Sequence, residues 1–398
     1  MTSGSHSKNC KPCRRMSDHP LPYGRQWVDE NDIQAVVDVL RSDFLTTGPA
    51  VEAFENALCQ ATGVAHAVAV NSGTAALHAA YFAAGLREGD EIITTALTFA
   101  ATANAARYLG ANVKFVDIDP RTGNIDPNLI AAAITDKTKL IVPVDFSGWP
   151  ADYDAINSIA AEHGLKVVAD AAHSLGGNRN GKPVGTLADL TEVSTHPVKP
   201  VTTGEGGAVL TNDPELAETC RRFRSHGIER RPDHMQSQSG PWYHEQHDLG
   251  FNYRITDIQA ALGASQMNRL PEFIARRRTI AARYFEGLSG IEGITLPPSE
   301  SLNESGWHLF IIRIKGGEPN RAKLFQALRA RQLFVQVHYI PVYWHPYYQE
   351  LGFQRGLCPH AEAFYESCVS LPIFPKLSDD DVESSIRRVR EAIAEVLG

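Results

Sequence analysis

Between Ala65 and Asn212 the chain repeats one unit: a short, nearly uninterrupted apolar run followed by a stretch with helical spacing. The runs fall at residues 67–70, 91–95, 113–117, 140–145, 167–170, 190–195 and 208–211. Strands that are apolar at consecutive positions are buried on both faces, which predicts a mostly parallel seven-stranded sheet between helices. The intervening helices are predicted at 74–84 and 100–109, among others. Ligands of such α/β sheets bind at the carboxyl ends of the strands. Ser72, Asp170 and Lys199 all stand there.

Downstream, helical spacing over 256–288 leads to a smaller C-terminal α/β domain. Strands at 307–314 and 334–339, a helix at 321–331 and a last helix capped by Ser378 are predicted for it. Val382, Ile386, Val389, Ile393 and Val396 give that last helix one apolar face. The expected division is a disordered tail over 1–21, a large domain over 22–270 and a small domain over 271–398.

The run Ser194-Thr195-His196-Pro197-Val198-Lys199-Pro200, followed by Gly204-Glu205-Gly206-Gly207, puts a lysine on a short loop flanked by prolines. A lysine that acts as a nucleophile needs a rigid mount and a suppressed charge. The preceding strand ends in Asp170-Ala171-Ala172-His173. A carboxylate at one strand end and a lysine beyond the next suit pyridoxal phosphate (PLP): the lysine forms the Schiff base, and the carboxylate holds the pyridine nitrogen protonated so that the ring is an electron sink. Asn71-Ser72-Gly73-Thr74, between a strand and a helix, offers backbone amides and hydroxyls to a phosphate at a helix start. Taken alone, Ser-Gly-Thr reads as an ordinary helix cap. Phe99 is placed to stack on a planar ring, although a lone phenylalanine there also reads as core. No strand runs into Gly-x-Gly-x-x-Gly, so a dinucleotide site is unsupported.

Composition narrows the function further. A hydrophobic share of 43% and a charged share of 21% describe a globular protein, and a net charge of -8 argues against a general nucleic-acid binder. No apolar stretch approaches the roughly 20 residues of a membrane span. The N-terminal stretch lacks the apolar core of a signal peptide, so a cytoplasmic location is expected. Cys10 and Cys13 form a Cys-x-x-Cys pair with no second pair near it, which gives no support for zinc or any other metal. Cys59, Cys220, Cys358 and Cys368 lie in helical-looking stretches and read as packing residues.

In order along the chain stand Leu45-Thr46-Thr47-Gly48-Pro49, Asn71 to Leu77, Thr98-Phe99-Ala100-Ala101-Thr102-Ala103-Asn104 and Asp170-Ala171-Ala172-His173. Ser194 to Lys199, Gly250-Phe251-Asn252-Tyr253-Arg254 and Val337-His338-Tyr339-Ile340-Pro341 follow. From about Pro22 to the C-terminus this set resembles the fold-type I PLP enzymes, and within them the DegT/DnrJ/StrS-type sugar aminotransferases. The resemblance implies that Lys199 binds PLP and shuttles protons, that Asp170 pairs with the pyridine nitrogen, and that Phe99 covers the ring. It implies that Ser72, Gly73, Thr74 and Ser194 hold the phosphate, and that Asn252 reaches it from the partner subunit of a homodimer with shared sites. His173 stands where many relatives have glutamine, facing the cofactor's phenolic oxygen. Arg254, His338 and Tyr339 are expected at the substrate, although the last two also read as a satisfied strand end.

Relatives that dehydrate at carbon 3 replace the lysine with histidine, so Lys199 implies transamination. The stretches His196 to Gly207, Phe223 to Ile228 and Gln336 to Tyr339 look most like the aminotransferases of pseudaminic acid synthesis. These move an amino group, expected from L-glutamate, to carbon 4 of a UDP-linked 4-keto-6-deoxy-N-acetyl hexose. Other UDP- or dTDP-keto sugars, including the bacillosamine type, stay open, as does a PLP-binding regulator without turnover.

Overall fold

The computed structural model describes residues 19–237 and 239–398. The Cys10/Cys13 pair lies outside the described residues.

Two helices, α1 (Glu30–Leu40) and α2 (Pro49–Thr62), lead into the central sheet. Its strands are β1 (His66–Val70), β2 (Glu91–Thr95), β3 (Asn112–Val116), β4 (Thr138–Val142), β5 (Lys166–Asp170), β6 (Leu190–Ser194) and β7 (Gly207–Thr211). They lie in the order β1-β7-β6-β5-β4-β2-β3. β7 runs antiparallel to both of its neighbours, and the other adjacent pairs are parallel. This is the expected seven-stranded, mostly parallel α/β sheet.

The alternation of side chains along each strand divides the core between the two faces. Val68 and Val70 of β1 face one apolar cluster, which includes Ala76, Ala80 and Tyr81 of α3 (Gly73–Ala83) and Ala103 and Ala106 of α4 (Ala101–Tyr108). Ala67 and Ala69 face the other, with Phe54 and Leu58 of α2 and Ile156 and Ala160 of α5 (Tyr153–His163). The run of small residues in α3 lets it lie close over β6 and β7: a Cβ on Gly207 would stand 2.8 Å from the Gly73 amide nitrogen. That approach fixes the start of α3 directly above the end of β6.

After α6 (Pro214–Phe223), the expected helix over 256–288 is two helices, α7 (Asp257–Met267) and α8 (Leu270–Leu288). They break at Asn268 and Arg269, just before Pro271. Pro271 has no N–H to continue the α7 ladder and its ring would crowd the Met267 carbonyl four residues back, so it fits only in the first turn of a new helix. A third cluster, with Ile280 and Tyr284 of α8, gathers around β8 (Phe310–Ile314) and β9 (Cys368–Leu371), under α9 (Gly317–Ala330) and α10 (Asp379–Leu397). Leu21, at the end of the expected tail, is buried in this cluster and pairs with Leu333.

The strand expected over 334–339 is another correction. The ladder holds only at Leu333–Phe334, and beyond it Gln336 makes a single bridge to Ser370. The chain turns out of the ladder at Val335, whose amide bonds the Leu333 carbonyl at 3.0 Å, and so carries His338 and Tyr339 toward the central sheet. Cys358 precedes a helix and Cys368 opens β9, while Cys59 and Cys220 are helical as expected. All four are free thiols.

One contact ties α2 to α7. The cap position of α2 is Gly48, which has no side chain to offer. Asp257 supplies the acceptors instead, taking the Gly48 amide at 2.8 Å and the Ala50 amide at 3.0 Å. Asp257→Ala leaves both half-buried donors without this acceptor and is expected to cost about 1–2 kcal/mol. Urea unfolding checks this: the midpoint falls while the slope holds, and Asp257→Asn loses less. An unchanged midpoint would show that the cap contributes nothing.

Candidate active site

The carboxyl ends of β1, β2, β5 and β6 surround a cavity of about 490 Å³. It is lined by Ser72, Gly73, Thr74, Phe99, Asp170, His173, Ser194, Lys199, His338 and Tyr339, all of which were expected at the site.

Lys199 is held by its backbone. Its amide bonds the His196 carbonyl at 2.9 Å, closing a turn around Pro197. The loop that follows is pinned to the end of β6: the Thr203 amide bonds the Thr195 carbonyl at 3.0 Å and the two threonine hydroxyls meet at 2.6 Å. Burial of the amine lowers the Lys199 pKa to about 8, against an opposing pull from Glu192 and Asp170. A substantial share of neutral amine is therefore present near neutrality.

Asp170 ends β5 with 6% exposure. Its Oδ2 accepts from the Thr102 hydroxyl at 2.6 Å, and Thr102 is itself paired with Thr98 at 2.7 Å. The carboxylate thus faces the cavity in one orientation. Ser72 caps α3, its Oγ accepting from the Ala75 amide at 3.1 Å, so that its hydroxyl serves the helix as well as lining the cavity. A Cβ on Gly73 would lie 3.2 Å from Ser194 Oγ, which leaves the first amides of an 11-residue helix open toward the cavity. That is a cradle for an anion.

On the opposite wall His173 Nε2 pairs with the Tyr339 hydroxyl at 3.0 Å. His173 Nδ1 is buried without a partner among the described residues, and the His308 ring packs 4.5 Å away. His338 Nδ1 pairs with Ser370 at 2.8 Å. Burial, helped by the charge of Lys199, pushes the His173 pKa well down and that of His338 to about 3, so both rings are neutral. Burial also raises the Tyr339 hydroxyl. Phe99 is not a core residue: it is 62% exposed, at the mouth of the cavity, its ring 6.1 Å from that of Tyr339.

Asn252 and Arg254 do not line this cavity. Asn252 is exposed and bridges Ser225, and Arg254 bridges Val70 through its backbone. Next to them the Tyr253 carbonyl accepts from the Asn71 amide at 2.9 Å, so the segment braces the strand-to-helix turn from outside. Sequence reasoning missed Tyr23, Glu192, Glu205 and His308, all of which line the cavity. For Glu192 a signal existed, since one acid stands inside a strand, Leu190–Ser194, with no other charged residue. For Tyr23 and His308 there was none, because the tertiary fold alone brings them in.

An amine of lowered pKa, a fixed carboxylate, an open helix start and an unpartnered imidazole nitrogen together fit PLP. Among the described residues there is no group of three or more His, Cys, Asp or Glu placed to hold a metal ion, and no helix is long and apolar enough to cross a membrane.

Comparison with known proteins agrees. Residues 26–390 match the family model of the DegT/DnrJ/EryC1/StrS aminotransferases, and the chain belongs to that family. It is a PLP-dependent sugar aminotransferase. It is 40% identical to the spore coat polysaccharide biosynthesis protein SpsC of Bacillus subtilis, over 94% of this chain and 98% of that one. It is 36% identical to the UDP-4-amino-4,6-dideoxy-N-acetyl-beta-L-altrosamine transaminase of Campylobacter jejuni, over 91% and 95%. Among solved structures, PseC of Helicobacter pylori, an aminotransferase of pseudaminic acid biosynthesis, superposes with a TM-score of 0.89 at 33% identity, covering 94% of this chain and all of the other.

The lowered lysine pKa has a kinetic consequence. Only the neutral amine attacks an aldehyde, so capture of PLP by the apoenzyme should quicken with rising pH and reach half its limit near about 8. Stopped-flow absorbance measures this. A midpoint near the ordinary lysine value of 10.5 would show that burial does not tune Lys199.

Proposed function

We propose that this enzyme transfers the amino group of L-glutamate to carbon 4 of a UDP-linked 4-keto-6-deoxy-N-acetyl hexose, in shared active sites of a homodimer. The observation that carries the sugar assignment to this pocket is the character of its wall. His173, His308, His338 and Tyr339 present neutral hydrogen-bonding groups, with Phe99 at the mouth, and no arginine is among the described residues of the lining. Neutral donors and acceptors beside an aromatic ring suit a hydroxyl-rich ring. A small amino acid held by its carboxylate calls for a guanidinium fork. Likeness to the Campylobacter transaminase and to PseC supports the UDP-linked substrate.

Bound PLP supplies an electron sink for the pair released when a C–H bond next to nitrogen breaks. The protein's own groups do the rest. Lys199 Nζ, whose pKa burial lowers to about 8, takes the proton from the donor's α carbon in its neutral form and returns one at carbon 4 of the acceptor. Asp170, fixed by Thr102, would pair with the pyridine nitrogen. The open amides of Gly73 and Thr74, with Ser72 and Ser194, would hold the phosphate; His173, neutral and fixed by Tyr339, would serve the phenolic oxygen. The four free thiols suit a reducing compartment, in line with a cytoplasmic location.

Asn252 and Arg254 supply the dimer argument. Both stand outside their own cavity, on a surface that also exposes Leu249 at 80% and Phe251 at 39%. A second copy would cover those apolar side chains and bring Asn252 to the neighbouring phosphate and Arg254 to the donor carboxylate. Mixing inactive Lys199→Ala chains with Asn252→Ala chains should then restore part of the turnover, because one site of each heterodimer carries neither change. Verified heterodimers without recovery would rule out shared sites.

A panel of UDP- and dTDP-keto sugars with glutamate tests the substrate. The UDP-linked L-arabino 4-keto sugar should be aminated at carbon 4, as read by product mass and NMR. Preference for a dTDP sugar, or for the D-configured UDP sugar of the bacillosamine type, would overturn the substrate and leave the aminotransferase class standing.

A further inference from the structure

Asp170 does not stand alone on the floor of the cavity. Glu192 is its direct partner in the parallel pairing of β5 and β6, so the two side chains project from the sheet side by side. Both are buried, Glu192 with 1% exposure. Glu192 also reaches beneath the start of α3, where its Oε1 lies 2.5 Å from the place a Cβ on Gly73 would occupy. It therefore sits between the Asp170 carboxylate, which would pair with the pyridine nitrogen, and the amides that would hold the phosphate.

The surroundings assign the charge unequally. Asp170 accepts from the Thr102 hydroxyl at 2.6 Å, while the Ala172 amide, 3.3 Å from Asp170 Oδ1, also acts on Glu192. Glu192 Oε2 is buried and accepts from no N–H or O–H group among the described residues. The titratable groups that act on the pair are Lys199, Tyr81 from α3 and, on the Asp170 side, Asp145, Tyr153 and Tyr339. Two adjacent carboxyls cut off from water cannot both ionise at neutral pH, and the better-solvated one keeps the charge. Here that one is Asp170. An ionised Glu192 would also oppose the bound phosphate.

We propose that Glu192 is a neutral acid whose O–H donates to Asp170, so that the two carboxyls carry one negative charge between them and Asp170 is a fixed counter-ion for the cofactor ring. Burial and the neighbouring Asp170 charge push the Glu192 pKa well up, in the same direction as the geometry. Glu192 is thus a positioning residue that acts through Asp170. Only the consequence for the ring rests on the assignment of Asp170 to the pyridine nitrogen; the protonation itself does not.

Infrared difference spectroscopy of the full-length protein, with and without PLP, tests the proposal. Wild type minus Glu192→Gln at neutral pH should show the carbonyl stretch of a protonated carboxylic acid in both states. Subtracting this variant removes any contribution from Asp145, another buried carboxyl, whose pKa burial raises to about 6. In PLP titrations Glu192→Ala should weaken cofactor binding about tenfold, the scale of one charge-assisted hydrogen bond, and Glu192→Gln, which keeps a donor, should recover most of that loss. Absence of the acid band from the difference spectrum would overturn the proposal. So would a Glu192→Gln variant that binds PLP as weakly as Glu192→Ala.

Discussion

A lysine amine and a pair of carboxyls meet at the carboxyl ends of β5 and β6, inside protein, and the remaining architecture serves that meeting. In water such charges attract weakly, by about 1 kcal/mol at 4 Å; enclosed, they interact several times more strongly, and desolvation competes with attraction. Desolvation wins at Lys199, which leaves its amine partly neutral near neutrality. The structure must therefore keep water out and hold both partners still, because a mobile lysine would find solvent and regain its charge.

The stillness comes from backbone. β7, the single antiparallel strand of the central sheet, returns directly beside β6, so the loop carrying Lys199 is anchored at both ends by neighbouring strands. The Thr195–Thr203 contacts close that loop across its base. Small residues in α3 bring the helix onto the same two strands and set its open amides above the floor that Asp170 and Glu192 share. Lysine, carboxylate and anion cradle are thereby rigid parts of one sheet edge.

The far wall has another origin. Tyr339 and His338 arrive on a segment that leaves the C-terminal ladder at Val335, and His308 comes from the residues just before β8. The groups that fit PLP thus sit on the sheet, while much of the far wall comes from the C-terminal part.

Local pattern sufficed for much of this. Seven apolar runs determined the sheet, because a strand buried on both faces has no other stable setting. Asp170, Lys199 and Ser72 were legible because strand ends in such sheets are where ligands bind. The break between α7 and α8 was written in Pro271 and overlooked, since the apolar spacing continues through it. Tertiary structure alone decided what depends on residues far apart in the chain: that Asp257 caps α2, that Phe99 stands at the cavity mouth, that Tyr339 fixes His173, and that Glu192 lies under Gly73. Sequence spacing reports which face of an element is apolar. It carries no distance between elements, and hydrogen bonding and desolvation are set by distance.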